Sequence, residues 1–225
     1  MCCGNICPRA WTISFFDCEH GAHDIDYYAP WYQCCRDHGI PTVTRVPDAA
    51  YPLISRAMDL GSDGIMVPRV ESVDQVRIAV EAMHFPPCGK KAHSGKFQRY
   101  PGESFEEYRH RRLLWIQIES PLGAQALPDM LAAYGSFISA CVIGPYDLSI
   151  NCGVPAQFRH EKVNAVADDV FARCQSAGIS SGIYANDEEA AARRIRQGAN
   201  LLWMGCDALF MTQAIAQAAR KVSRL

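Results

Sequence analysis

The chain has 225 residues, 49% of them hydrophobic and 20% charged, which suffices for a full core in a single domain spanning 1–225 and excludes intrinsic disorder. A net charge of -2 and a pI near 6.4 exclude the basic surface that nucleic acid or an anionic membrane requires, so the expected partner is a small molecule. No apolar run approaches the roughly 20 residues of a membrane span, and residues 1–10 lack the pattern of a signal peptide, which makes a cytoplasmic location the expectation.

The first strand is expected over 11–18, rich in aromatic and β-branched residues and ending at Glu19-His20-Gly21. Tyr27, Trp31, Cys34 and Cys35 then recur at helical spacing up to Gly39. A second strand over 42–46 carries Arg45, and Asp48 is placed to cap a helix with Tyr51, Ile54 and Met58 on its apolar side, Asp59 in its last turn and Gly61 at its end. The third strand covers 64–68, and Ser72 with Gln75 forms a capping box for the helix after it. Residues 88–112 form the one polar, Lys- and Gly-containing interruption, either a loop on the active-site side or an irregular insertion.

Strands over 114–119 and 140–144 follow, and then a helix closed by Gly178, a strand over 179–184 and a helix capped by Asn186 and Glu189. The last strand is 201–204, and Met211, Ile215, Ala218 and Val222 draw an apolar stripe along the terminal helix. Seven continuously apolar strands alternating with helices indicate a parallel α/β architecture. A (β/α)₈ barrel short of one unit is the expected fold, with a doubly wound sheet as the competitor.

The chemistry concentrates where the two central strands end. Leu114-Trp115-Ile116-Gln117-Ile118 stops at Glu119, and Ala140-Cys141-Val142-Ile143 stops at Gly144-Pro145-Tyr146-Asp147. In parallel α/β folds the C-terminal strand ends face the ligand, so Glu119 and Asp147 are expected to be neighbours there. Two close carboxylates repel unless a proton or cation lies between them, and two carboxylates with waters and substrate oxygens suit Mg²⁺ or Mn²⁺. The competing reading makes Glu119 an exposed strand-end residue and Asp147 a turn cap. The five lysines all fall in loops or helices, which disfavours a Schiff-base route from inside a barrel. Eleven scattered cysteines indicate reduced, buried thiols, with metal or acyl attachment at Cys2, Cys3 and Cys7 as a minor alternative.

Six ordered motifs resemble the HpcH/HpaI aldolase/citrate lyase family: Asp17-Cys18-Glu19-His20-Gly21, Thr44-Arg45-Val46-Pro47, Met58-Asp59-Leu60-Gly61, Gly64-Ile65-Met66-Val67-Pro68, Gln117-Ile118-Glu119 and Gly144-Pro145-Tyr146-Asp147-Leu148-Ser149. The resemblance implies a (β/α)₈ TIM barrel, helices exchanged between subunits of a homo-oligomer, and a class II pyruvate aldolase of the aldehyde-lyase type (EC 4.1.2). Such an enzyme cleaves 4-hydroxy-2-oxo acids to pyruvate and an aldehyde, with a divalent metal (Mg²⁺, Mn²⁺ or Co²⁺) lowering the energy of the enolate. It further implies that Glu119 and Asp147 ligate the metal, that Arg45 holds the oxo acid, and that His20 with Asp59 forms the acid/base pair. Gln117, Gly144, Pro145 and Tyr146 would complete the substrate pocket.

Oxaloacetate decarboxylation, a citrate lyase β-like reaction on acyl-CoA thioesters, and a non-catalytic family member remain as alternatives. Two departures stand out: Lys90-Lys91-Ala92 replaces an Arg-Gly pair after Gly89, and Tyr146 replaces a small residue, as in fungal members. The family also carries a strand and helix ahead of the segment matching 11–18. The expectation is therefore an N-terminally short, seven-stranded barrel with a gap between the strands at 11–18 and 201–204, giving a poorly soluble or weakly active product.

Overall fold

The computed structural model describes residues 13–92 and 98–223. Its strands are β1 (Ser14–Asp17), β2 (Thr42–Arg45), β3 (Gly64–Val67), β4 (Leu113–Ile118), β5 (Ile138–Ile143), β6 (Ser180–Ala185) and β7 (Leu201–Met204). All pair in parallel with their sequence neighbours, so among the described residues the sheet runs β1 to β7 in order, curled into a barrel wall that lacks one strand. This is the expected barrel and not the doubly wound alternative, whose strand order reverses at a switch point.

No ladder joins β1 to β7 among the described residues. Their side chains nevertheless meet: the Phe15 and Trp203 rings lie 4.5 Å apart across the seam. The expected gap is thus an absence of main-chain pairing, bridged by aromatic contact. Trp11 and Thr12 of the predicted first strand, and Cys2, Cys3 and Cys7, lie outside the described residues.

The helices are α1 (Ala29–Asp37), α2 (Tyr51–Leu60), α3 (Val73–Met83), α4 (Phe105–His110), α5 (Pro121–Tyr134), α6 (Pro145–Asn151), α7 (Glu161–Ala177), α8 (Glu188–Arg196) and α9 (Asp207–Val222). The Ser72–Gln75 capping box forms at the start of α3 as expected, and Gly61 and Gly178 take the left-handed conformation that ends α2 and α7. Two caps differ from expectation. Asp48 accepts from the neighbouring Ala49 N–H, which leaves Ala50 as the uncapped start of α2, and Asp187 rather than Asn186 caps α8 by accepting from Ala190.

Strand alternation creates two cores. Outward side chains such as Ile65, Ile116, Ile118, Cys141 and Ile143 pack on the helices. Inward side chains Phe15, Val43, Met66, Trp115, Ala140, Val142, Leu201 and Trp203 fill the lumen. The period of two continues up each strand, so Asp17, Arg45, Gln117 and Glu119 all point inward toward the C-terminal end. Of the described cysteines all are free, and Cys18, Cys141 and Cys174 are buried.

The polar interruption contains an unforeseen helix, α4, whose start is fixed by a Ser104–Glu107 capping box. Its described parts connect the C-terminal end of α3 to the N-terminal end of β4, which places them opposite the carboxylates. Tyr100 and Arg111 anchor it to Asp63, the residue before β3. In its described parts the segment is therefore an insertion under the barrel and not a cover on the active-site side. No helix among the described residues is long and apolar enough to cross a membrane.

Candidate active site

The C-terminal ends of three strands, β1, β2 and β4, together with the first turn of α6, bring the chemistry together. Asp17 and Arg45 are register partners, and Arg45 donates Nε to Asp17 Oδ1 at 2.9 Å and Nη2 to Oδ2 at 2.6 Å. The third guanidinium nitrogen, Nη1, points to Gln117 Oε1 at 3.4 Å and pairs with Glu19 Oε2 at 3.2 Å. The Trp203 ring sits 5.1 Å from Arg45 Cζ and walls the cation from the lumen. Arg69, held at φ 50°, donates Nη2 to Pro47 O and meets Glu19 Oε1 with its Nε at 3.2 Å.

Glu119 is 4% exposed and is fixed from three sides. Gln117 Nε2 donates to its Oε1 at 2.6 Å, the Arg69 backbone N–H donates to its Oε2 at 3.1 Å, and Asn151 Nδ2 donates to its main-chain oxygen at 2.8 Å. Asp147, half-buried in the first turn of α6, adds its charge. Burial first, then the Asp147 and Glu19 carboxylates, push Glu119 up to about 7, against the Arg69 hydrogen bond and the Arg45 charge. Gly144 makes room for this carboxylate: a Cβ there would lie 2.1 Å from Glu119 Oε1 and 2.8 Å from Gln117 Nε2.

The remaining carboxylates respond to their own surroundings. Burial works to raise Asp17, yet the Arg45 hydrogen bond and charge, with the Glu19 and His20 backbone N–H groups, hold it below its usual range. Glu19 goes the other way, because burial outweighs Arg45, His20 and Arg69.

Among these residues four carboxylates (Asp17, Glu19, Glu119, Asp147) face two guanidiniums. A divalent cation would neutralise that excess, and the raised Glu119 marks where it would sit. Among the described residues no cluster of three or more His, Cys, Asp or Glu side chains is built to enclose a metal. Glu119 and Asp147 are the two carboxylates that could hold an ion of the kind that takes few protein ligands and completes its shell with water and substrate oxygens.

His20 lies at the mouth, its side chain 64% exposed and its Nε2 3.8 Å from Glu19 Oε2. Its expected partner does not reach it within one chain: no hydrogen bond joins His20 and Asp59, and Asp59 instead accepts from Lys91 Nζ at 2.7 Å. The reason is topological. His20 follows the C-terminal end of β1, whereas the last turn of α2 leads into the N-terminal end of β3, so Asp59 belongs to the opposite end of the barrel. Pro145 is buried behind the carboxylates. Tyr146 is half exposed and packs edge-on to Phe158, 4.5 Å between ring centroids. Sequence reading had not singled out Asp17, Glu19, Arg69, Asn151 or Trp203. Asp17 and Glu19 were visible as acids at a strand exit, but their bond to Arg45 depends on register.

The HpcH/HpaI aldolase/citrate lyase family model matches residues 14–214, nearly the whole described barrel. The chain belongs to this family. It is similar to the hydroxypyruvate/pyruvate aldolase of Roseovarius nubinhibens, 30% identical over 94% of this chain and 82% of that protein. It is also similar to the 2-keto-3-deoxy-L-rhamnonate aldolase of Salmonella gallinarum, 26% identical over 91% of this chain and 77% of the relative. The crystal structure of an HpcH/HpaI aldolase from Desulfitobacterium hafniense superposes with a TM-score of 0.87 at 22% identity, covering 96% of this chain and 85% of that one, which bears on the fold. Both of these curated relatives are aldolases, which supports a lyase activity for this family member.

Proposed function

We propose that this family member is a divalent-metal-dependent aldolase that cleaves 4-hydroxy-2-oxo acids to pyruvate and an aldehyde. The carrying observation is Glu119, buried beside Asp147, pushed up to about 7, and linked through Gln117 to an Arg45 locked by Asp17. Glu119 and Asp147 would hold the metal. When bound, that ion supplies Lewis-acid polarisation of the substrate keto group.

The chain's own side chains do the rest. Arg45 presents a fixed positive group to the oxo-acid carboxylate, because Asp17 occupies its Nε and Nη2 and leaves Nη1, which Gln117 and Glu19 share, as the nitrogen for that contact. Gln117 accepts from Arg45 and donates to Glu119, so it sets the anion contact and the metal-ligand carboxylate in one geometry. His20 Nε2, exposed at the mouth, takes the proton from the substrate 4-hydroxyl, and Glu19 stabilises the imidazolium in the role first assigned to Asp59. The Trp203 face and lumen side chains exclude water beneath the reacting carbons.

The same reading includes a homo-oligomer. The α9 helix buries no residue, and Phe210, Met211, Ile215 and Val222 are 43–68% exposed. An apolar stripe of that length on a helix favours cover by a second copy of this chain.

The test is pyruvate release from a panel of 4-hydroxy-2-oxo acids, with oxaloacetate as a further arm, in the presence of Mg²⁺, Mn²⁺ or Co²⁺ and after strong chelation. Turnover that survives complete chelation sinks the metal reading. Glu119→Gln and Asp147→Asn should lose metal and activity together, whereas His20→Ala should keep oxalate binding and lose turnover.

A further inference from the structure

A second built site lies at the other end of the barrel. A cavity of about 210 Å³ opens beneath β4 and β5, lined by His84, Cys88, Arg109, His110, Arg112 and Ser139 among others. Arg112 is the residue before β4 and Glu119 the residue after it, so the strand, roughly 23 Å over seven residues, separates this cavity from the carboxylates.

Arg112 is only 7% exposed, yet among the described residues its Nε and Nη2 have no hydrogen-bond partner. Those two nitrogens share one edge of the guanidinium and form the side-on fork that takes two oxygens of a phosphate or carboxylate. The other nitrogen, Nη1, is spent on Arg111 O at 3.3 Å. The Tyr108 ring, 4.3 Å from Arg112 Cζ, fixes the plane of the group. Among the described residues Arg112 has no ion pair, and a buried cation without one is costly unless a counter-ion completes it.

The surroundings are donor-rich and hold no acid. His84 Nε2 is likewise buried and without a partner, and burial, Arg112 and His110 keep the ring neutral by lowering it to about 4. A neutral imidazole still offers one N–H. Ser136 and Ser139 bring hydroxyls to the wall, Arg109 and His110 stand at the rim, tied by Glu106 outside, and no carboxylate lines the cavity.

We propose that this cavity is a binding site for a small oxyanion, a phosphate or carboxylate group held by the Arg112 fork and His84, distinct from the catalytic centre and independent of the reaction proposed there. Its volume suits one anionic group with a few attached carbons.

The experiment titrates the full chain calorimetrically with inorganic phosphate, glycerol 3-phosphate and citrate, beside the variants Arg112→Gln, Arg112→Lys, His84→Gln and Arg45→Gln. We expect one anion per chain, retained in Arg45→Gln, and at least tenfold weaker in Arg112→Lys, which keeps the charge and loses the fork. Tighter binding of the monoester assigns the site to a phosphorylated small molecule, and tighter binding of citrate to a carboxylate. Crystals soaked in tungstate should show anomalous density within hydrogen-bond distance of Arg112 Nε and Nη2. Equal affinity in the wild type, Arg112→Lys and His84→Gln, or tungstate bound only beside Arg45, overturns the proposal. A cooperative melting transition and unchanged pyruvate release certify the fold of each Arg112 and His84 variant, and Arg112→Lys with His84→Gln carry the test if Arg112→Gln does not fold.

Discussion

Asp17 and Arg45 face one another across the β1–β2 register and are joined by two parallel hydrogen bonds of 2.9 and 2.6 Å. The carboxylate thereby decides which edge of the guanidinium remains for the oxo acid in the proposed reaction. Asp17→Asn turns one acceptor into a donor and loosens Arg45, at a cost of about 1.5–3 kcal/mol for a charge-assisted contact. The expected outcome is a fall of roughly 10- to 100-fold in kcat/KM, carried by KM for the oxo acid. Steady-state kinetics decide it, and an unchanged KM would show that Arg45 needs no such partner.

Gly144 has φ -89°, which alanine adopts freely, so Gly144→Ala should fold. Its methyl would nevertheless press on Glu119 Oε1 and Gln117 Nε2. If Glu119 holds metal as proposed, displacing it and its supporting amide should weaken metal by about 10–100-fold. Calorimetric titration with Mn²⁺ and a melting curve together read the prediction: weaker metal at nearly unchanged melting temperature is the expected pair of results.

Much of this architecture was legible because punctuation and period agreed. Gly61 and Gly178 end helices as read, the Ser72–Gln75 box starts one, and apolar runs that stop at Glu119 and just before Asp147 mark strand ends facing a ligand. What failed needed three dimensions. Asp59 sits in a motif that suggests a partner for His20, but the direction of α2 carries it to the far end, where Lys91 neutralises it. Lys91 reads as a polar loop residue, yet its side chain is fully buried. Glu19 and Asp17 acquire meaning only through the β1–β2 register, and the orphaned fork of Arg112 leaves no trace in composition.

His84 gives a pH signature to stability. Its folded value, lowered from 6.5 to about 4, means that the unfolded chain binds more protons than the folded one between those values. Its contribution is therefore complete above pH 6.5 and declines as pH falls toward 4, by about 1–2 kcal/mol after allowance for partial exposure. Melting curves of wild type and His84→Gln in anion-poor buffer should converge as pH falls through this window. Parallel curves from pH 7 to 4 would show that His84 titrates normally.

The α9 stripe yields a test of assembly. Ile215, 63% exposed, lies in the middle of the stripe. Ile215→Asp places a charge in any interface built on it, while an uncovered helix tolerates the change within about 0.5 kcal/mol. Light scattering after size exclusion should report an oligomer for the wild type and a smaller species for the variant. Identical masses would place the subunit contact elsewhere.

The seam between β1 and β7, bridged by Phe15 and Trp203 without a ladder, divides the site by local stability. Among the described residues, opening there breaks ring contacts and no strand hydrogen bonds, which makes it the part of the described wall expected to open at the lowest free energy. Asp17, Glu19 and His20 ride on that edge, whereas Glu119 and Asp147 stand on β4 and after β5, in the middle of the sheet with a paired strand on each side. The half of the site proposed to handle protons is thus hung on the softest element of the described barrel, and the half proposed to hold metal on its stiffest. Amide exchange at β1 should run ahead of β4 and β5, and a 2-oxo acid that bridges Arg45 to the metal would lace the two halves together.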